Sequence, residues 1–202
     1  MHPTTYTYLA LGDSYTIGEG VPLAQNFPYQ AVQLLRRSGH DFHAPEIIAK
    51  TGWTTDELMA AMADTVFNGS YDYVSLLIGV NNQYRGRPVQ EYAEQFTQLL
   101  ERAIALAGGR PDHVFVLSIP DWGITPFAEG REREQIRREI DLFNSTNQSI
   151  AEFYTVHYID ITPGTREVAA YPDLLTTDQL HYSGKEYKRW AEKLEHDISN
   201  TL

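Results

Sequence analysis

Ser14 ends an apolar run, Tyr8-Leu9-Ala10-Leu11-Gly12-Asp13-Ser14, and Asp178-Gln179-Leu180-His181 stands near the far end of the chain. A serine carried by a strand into a glycine-containing loop, with a late aspartate and histidine, supplies the groups of nucleophilic acyl transfer. The Ser14 oxygen would attack a carbonyl carbon, His181 would take and return the proton, and Asp178 would hold the imidazole in the productive tautomer. Neither half is distinctive alone. Two intermediate segments, Thr51-Gly52-Trp53-Thr54 and Gly79-Val80-Asn81-Asn82, sharpen the signal. A developing oxyanion needs preorganised donors, and the N–H groups of Ser14 and Gly52 with the side-chain amide of Asn81 could supply three. Glycine at 52 permits close backbone approach. Asp13 reads as a turn cap.

These residues must be brought together by the elements between them. Apolar, β-prone runs at 6–11, 46–50, 73–78, 113–119 and 156–161 alternate with segments of helical period. The third and fourth are almost continuously apolar, as expected of strands buried on both faces. Pro28 and Pro88 suit first helical turns, Gly39 and Gly108 suit helix ends, and Thr54/Glu57 and Ser183/Glu186 have capping-box spacing. Strand–helix alternation implies an α/β fold: a flavodoxin-like three-layer α/β/α sandwich on a five-stranded parallel sheet, order 2-1-3-4-5. In that order the carboxyl ends of strands 2, 1 and 3 deliver Gly52, Ser14 and Asn81 to one rim. Strand 5 ends about 15 Å from strand 1, at about 4.8 Å per strand. The stretch 162–182 is long enough to carry Asp178 and His181 back across the rim. Tyr84 and Arg85, Trp122 after strand 4, and Tyr171 in the return loop are candidate pocket residues.

The four blocks resemble those of the SGNH hydrolases, the GDSL esterases and lipases. Gly12-Asp13-Ser14 is similar to the first block, Gly52 to the second, Gly79-Val80-Asn81 to the third, and Asp178-Gln179-Leu180-His181 to the fifth. The resemblance covers almost the whole chain. It implies the same sandwich, a catalytic set of Ser14, Gly52, Asn81 and His181 completed by Asp178, and no cofactor or metal. Residues 14–20 look most like the bacterial lysophospholipase-type branch. Tyr15 stands where the motif has its leucine, and Asn82 where an aspartate is usual.

Composition bounds the remaining possibilities. The 202 residues suit one domain, 1–202, with a sizeable core. A formal net charge of -11 would repel phosphate backbones, so nucleic acid is not an expected partner. No cysteine is present, which excludes disulfides, cysteine nucleophiles and thiolate metal sites. No H-E-x-x-H spacing occurs. The first residues lack the pattern of a signal peptide and no run is long enough to span a bilayer, so the expected location is cytoplasmic.

The expected partner is a small-molecule ester. Within ester hydrolysis the sequence leaves open a short-chain or carbohydrate O-acetyl ester and a lysophospholipid or other long-chain ester. An acyl-thioesterase, and a non-catalytic module that binds a glycan or ester on the same rim, are the alternatives.

Overall fold

Every residue of the central strands Tyr73–Leu77 and Val114–Leu117 is buried, so both faces of the sheet must be covered. The structure, a computed structural model, describes residues 5–202. Its strands are β1 (Tyr8–Asp13), β2 (Glu46–Lys50), β3 (Tyr73–Leu77), β4 (Val114–Leu117) and β5 (His157–Ile159). All pair in parallel, in the order β2-β1-β3-β4-β5. The helices are α1 (Ser14–Ile17), α2 (Phe27–Arg37), α3 (Thr55–Asp64), α4 (Val80–Tyr84), α5 (Val89–Leu106), α6 (Arg133–Phe153), α7 (Thr162–Thr165) and α8 (Gly184–Ser199). α2 and α8 pack on each other, and α3, α5 and α6 form a contiguous second set. The three-layer α/β sandwich expected from the alternation is therefore present.

Strand edges moved for identifiable reasons. β1 starts later than expected because Tyr6 makes only an isolated bridge to Phe42. It runs on through Gly12 and Asp13, which pair with Ala49 and Lys50. β5 stops at Ile159 because the Ser118 hydroxyl takes over the next amides, accepting from Ile161 and Thr162 at 2.8 and 3.1 Å. The Thr54/Glu57 capping box forms at α3. The Ser183/Glu186 box does not. The Ser183 hydroxyl donates to the Asp173 carbonyl at 2.8 Å, and buried Glu186 accepts from Trp190 and Arg189 instead.

Gly12 has a specific task. A Cβ there would lie 2.1 Å from Thr16 Oγ1 and 2.4 Å from the Leu77 carbonyl oxygen. Glycine lets the end of β1 approach both β3 and the turn that follows, which fixes where Ser14 emerges.

Candidate active site

Ser14 is the first residue of the four-residue helix α1, directly after β1. Asp13 caps this turn, its Oδ1 accepting the Tyr15 N–H at 3.0 Å. The Ser14 hydroxyl lies 2.9 Å from His181 Nε2. On the other side of the ring, Nδ1 is 2.6 Å from Asp178 Oδ2. His181 is buried and Asp178 is partly exposed.

Asp178 and His181 come from one tight turn. Leu175 and Tyr182 form an isolated antiparallel bridge, and the Thr176 N–H donates to the His181 carbonyl at 2.8 Å. Gln179 takes a left-handed conformation, φ +61°, to close it. Asp178 Oδ1 accepts from the backbone N–H groups of Leu180 and His181, each at 2.9 Å, and from the Thr176 hydroxyl at 2.7 Å. Burial pushes the Asp178 carboxyl up. The bonds from His181, Leu180 and Thr176 outweigh it and hold the group well below the usual carboxylate range. Asp178 therefore stays ionised opposite Nδ1.

Gly52 occupies the loop after β2 with φ +82°, a region that favours glycine. Asn81 begins the second position of α4, after Gly79 at φ +134°. A side chain at 79 would strike the Tyr92 ring at 2.6 Å. The Asn81 amide nitrogen donates to the Trp53 carbonyl at 3.0 Å and meets Asp13 Oδ2 only at 3.4 Å. Asn82 is fully buried and pairs twice with Thr55: Oδ1 accepts its N–H at 3.1 Å and Nδ2 donates to its hydroxyl at 2.7 Å. Asn82 thus ties α4 to the start of α3 and so braces the Gly52 loop. Ser14, Gly52, Asn81 and His181 all line one cleft. An alcohol, an imidazole and a side-chain amide lining one cleft are groups that can perform acyl transfer.

The sequence model of the GDSL-like lipase/acylhydrolase family matches residues 10–189. The chain belongs to the GDSL-like lipase/acylhydrolase family. It is accordingly a carboxylic ester hydrolase. No curated protein matches its sequence. Among solved structures it is similar in fold to the acetylxylan esterase Axe2 from Geobacillus stearothermophilus, with 21% identity over 97% of this chain and 95% of that one, TM-score 0.76. TesA superposes equally well at 18% identity, covering 97% of this chain and 99% of its own, TM-score 0.76. The psychrotrophic esterase EstA from Pseudoalteromonas sp. matches at 18% identity over 98% of both chains, TM-score 0.73.

The cleft of this GDSL-like acylhydrolase has a volume of about 160 Å³. Beyond the polar set its walls are largely carbon, from Tyr15, Val80, Tyr84, Trp122, Phe127 and Leu180. Two of the four pocket candidates, Tyr84 and Trp122, therefore line this cleft. Arg85 does not line the cleft. Its guanidinium donates to the Gly52 carbonyl at 2.5 Å and pairs with Glu57 at 3.2 Å, so it ties the Gly52 loop to α3. Tyr171 is also elsewhere, in a separate hollow with Asp173, Leu174, Lys185 and Arg189, because the turn at 172–174 directs the return segment away before it reaches Thr176. Val80 and Leu180 were findable as neighbours of motif residues. Phe127 follows Pro126 on an irregular turn and had no periodic signal. Among the described residues no helix is long and apolar enough to cross a membrane.

Asp13 is fully buried, and burial pushes its carboxyl up to about 7, against the pull of the Tyr15 N–H. Its folded pKa exceeds the unfolded value, so the folded state binds the proton more tightly between about 4 and 7. The contribution to stability is fully present below the unfolded value and is lost as pH rises through 7. Asp13→Asn should gain stability relative to wild type as pH rises from about 4 to 7, and the difference should then level off. Urea melts of both proteins across this range test it; a constant difference would place the shift elsewhere.

Proposed function

We propose that this enzyme hydrolyses short-acyl carboxylic esters through an acyl-enzyme on Ser14. The observation that carries the reading is the continuous chain Asp178–His181–Ser14, with contacts of 2.6 and 2.9 Å. Ser14 Oγ adds to the ester carbonyl while its proton passes to His181 Nε2. The carbonyl π pair moves onto oxygen, where the N–H groups of Ser14 and Gly52 and the Asn81 amide receive it. When the tetrahedral adduct collapses, the C–O bond to the alcohol breaks and His181 returns the proton to the leaving oxygen. Water then attacks the acyl-enzyme by the same steps, releasing the acid and restoring Ser14. Asp178 keeps Nδ1 protonated and stabilises the imidazolium formed at each addition.

Asn81 suits its role because its two N–H hydrogens are unequally held. The Trp53 carbonyl anchors one at 3.0 Å, and the 3.4 Å contact with Asp13 leaves the other free to turn to an oxyanion. Asn81→Ala should lower kcat about 100- to 1000-fold with little change in KM, since the bond strengthens only as charge develops. Near-wild-type kcat would remove Asn81 from the oxyanion hole.

The small apolar cleft favours a short acyl group over the long chain of a lysophospholipid. The deciding experiment uses p-nitrophenyl butyrate together with diethyl p-nitrophenyl phosphate. Wild type should hydrolyse the ester, and the phosphate should add one diethylphosphoryl group at Ser14, releasing p-nitrophenolate. Ser14→Ala should do neither. Ester turnover or labelling retained in Ser14→Ala would overturn the mechanism. Ligand binding with no turnover in wild type would favour the binding-module reading.

A further inference from the structure

Trp122 forms one wall of the cleft, and its orientation is fixed from outside the cleft. Its indole N–H donates to Gln83 Oε1 at 2.7 Å, and Gln83 Nε2 donates to Glu139 Oε2 at 2.7 Å on α6. Both Trp122 and Gln83 are buried. Below, the turn carrying Trp122 is tied down by Asp121, which accepts the Gly123 N–H at 3.0 Å and is paired with Arg166 at 2.8 Å. Above, Tyr84 meets the indole edge-on, 5.2 Å between centroids, and Phe127 packs at 6.1 Å. A buried indole N–H needs a partner, and Gln83 supplies it in one direction only.

Resting on the ester-hydrolase reading above, we propose that Trp122, held by Gln83, is the residue that sets the maximum acyl length. A leaving alcohol has to face His181 Nε2 to be protonated. The acyl chain then departs from the carbonyl carbon toward the wall formed by Val80 and Tyr84 of α4 and by Trp122 on the turn after β4. A dry apolar cavity of about 150 Å³ accommodates a benzene molecule. The cleft, about 160 Å³, thus accepts an acyl group of roughly six carbons before the chain meets the indole. Each methylene that finds room should raise kcat/KM about four-fold. Gln83 is a positioning residue: it acts on length only by orienting Trp122. Its place two residues after Asn81 puts the anchor of the wall and an oxyanion donor on the same short helix.

The test is kcat/KM along p-nitrophenyl esters from acetate to palmitate for wild type, Trp122→Ala, Trp122→Phe and Gln83→Met. Wild type should rise to about hexanoate and then fall steeply. Trp122→Ala should move the optimum to octanoate or longer, raising the decanoate-to-butyrate ratio at least ten-fold. Gln83→Met should flatten the fall beyond hexanoate. In the Trp122→Phe background, which has no indole N–H, Gln83→Met should have no further effect on the profile. An optimum unmoved in Trp122→Ala overturns the proposal, and so does a Gln83 effect that persists without the indole. If Trp122→Ala instead shifts preference along acetate esters of longer alcohols, the wall belongs to the leaving-group side and the proposal fails. Absence of turnover by wild type on every ester would defeat the ester-hydrolase reading itself. That result is distinct from turnover that depends on Ser14 with an unmoved optimum.

Discussion

Ser14→Ala and His181→Ala should each lower kcat by about a million-fold, while KM changes far less. In the proposed mechanism the Ser14 oxygen bonds to the acyl carbon, and His181 Nε2, 2.9 Å away, removes its proton. Neither group helps without the other. The double variant should therefore be no slower than either single one, because residues acting as a unit are grossly non-additive. Residual rate above the uncatalysed reaction should survive in all three, supplied by the oxyanion donors and binding. Single-turnover measurements on p-nitrophenyl butyrate would show this. Additive losses in the double variant would mean that Ser14 and His181 do not share one proton transfer.

Asp178→Ala should cost roughly ten-thousand-fold in kcat. Asp178 does two things that a pair of variants separates. Oδ2 faces His181 Nδ1 at 2.6 Å, and Oδ1 gathers the N–H groups of Leu180 and His181. Alanine removes both functions. Asparagine keeps an oxygen for the turn but presents an NH₂ to Nδ1, which imposes the wrong tautomer. Asp178→Asn should thus be nearly as slow as alanine while melting close to wild type. An active asparagine variant would show that the aspartate serves the turn rather than the imidazole.

Much of this arrangement was legible in the chain. Alternating strands and helices implied a parallel sheet, right-handed crossovers and five strands favoured the order 2-1-3-4-5, and in that order Gly52, Ser14 and Asn81 share one rim. What local sequence could not show was where long side chains end. Arg85 follows Tyr84 directly, yet one lines the cleft and the other turns back to the Gly52 carbonyl, because Glu57 on α3 is within its reach. Ser183 and Glu186 had capping-box spacing, but a buried indole N–H and a neighbouring arginine competed successfully for the carboxylate. Tyr171 is a pocket candidate by its place in the return loop, but the turns within that loop carry it elsewhere. Each difference comes from tertiary competition for a polar or aromatic group, which periodicity does not encode.

The tight turn that carries Asp178 and His181 has a consequence for how the enzyme fails under heat. Its ends, Leu174 and Tyr182, are buried, whereas residues 176–180 are partly or largely exposed and held mostly by bonds within the turn. Such a segment can open locally at far lower free energy than the whole molecule. One opening event withdraws Asp178 and His181 together, leaving Ser14, Gly52 and Asn81 on an intact sheet. Thermal inactivation should therefore begin below the melting temperature, reverse on cooling, and leave the far-ultraviolet circular dichroism unchanged.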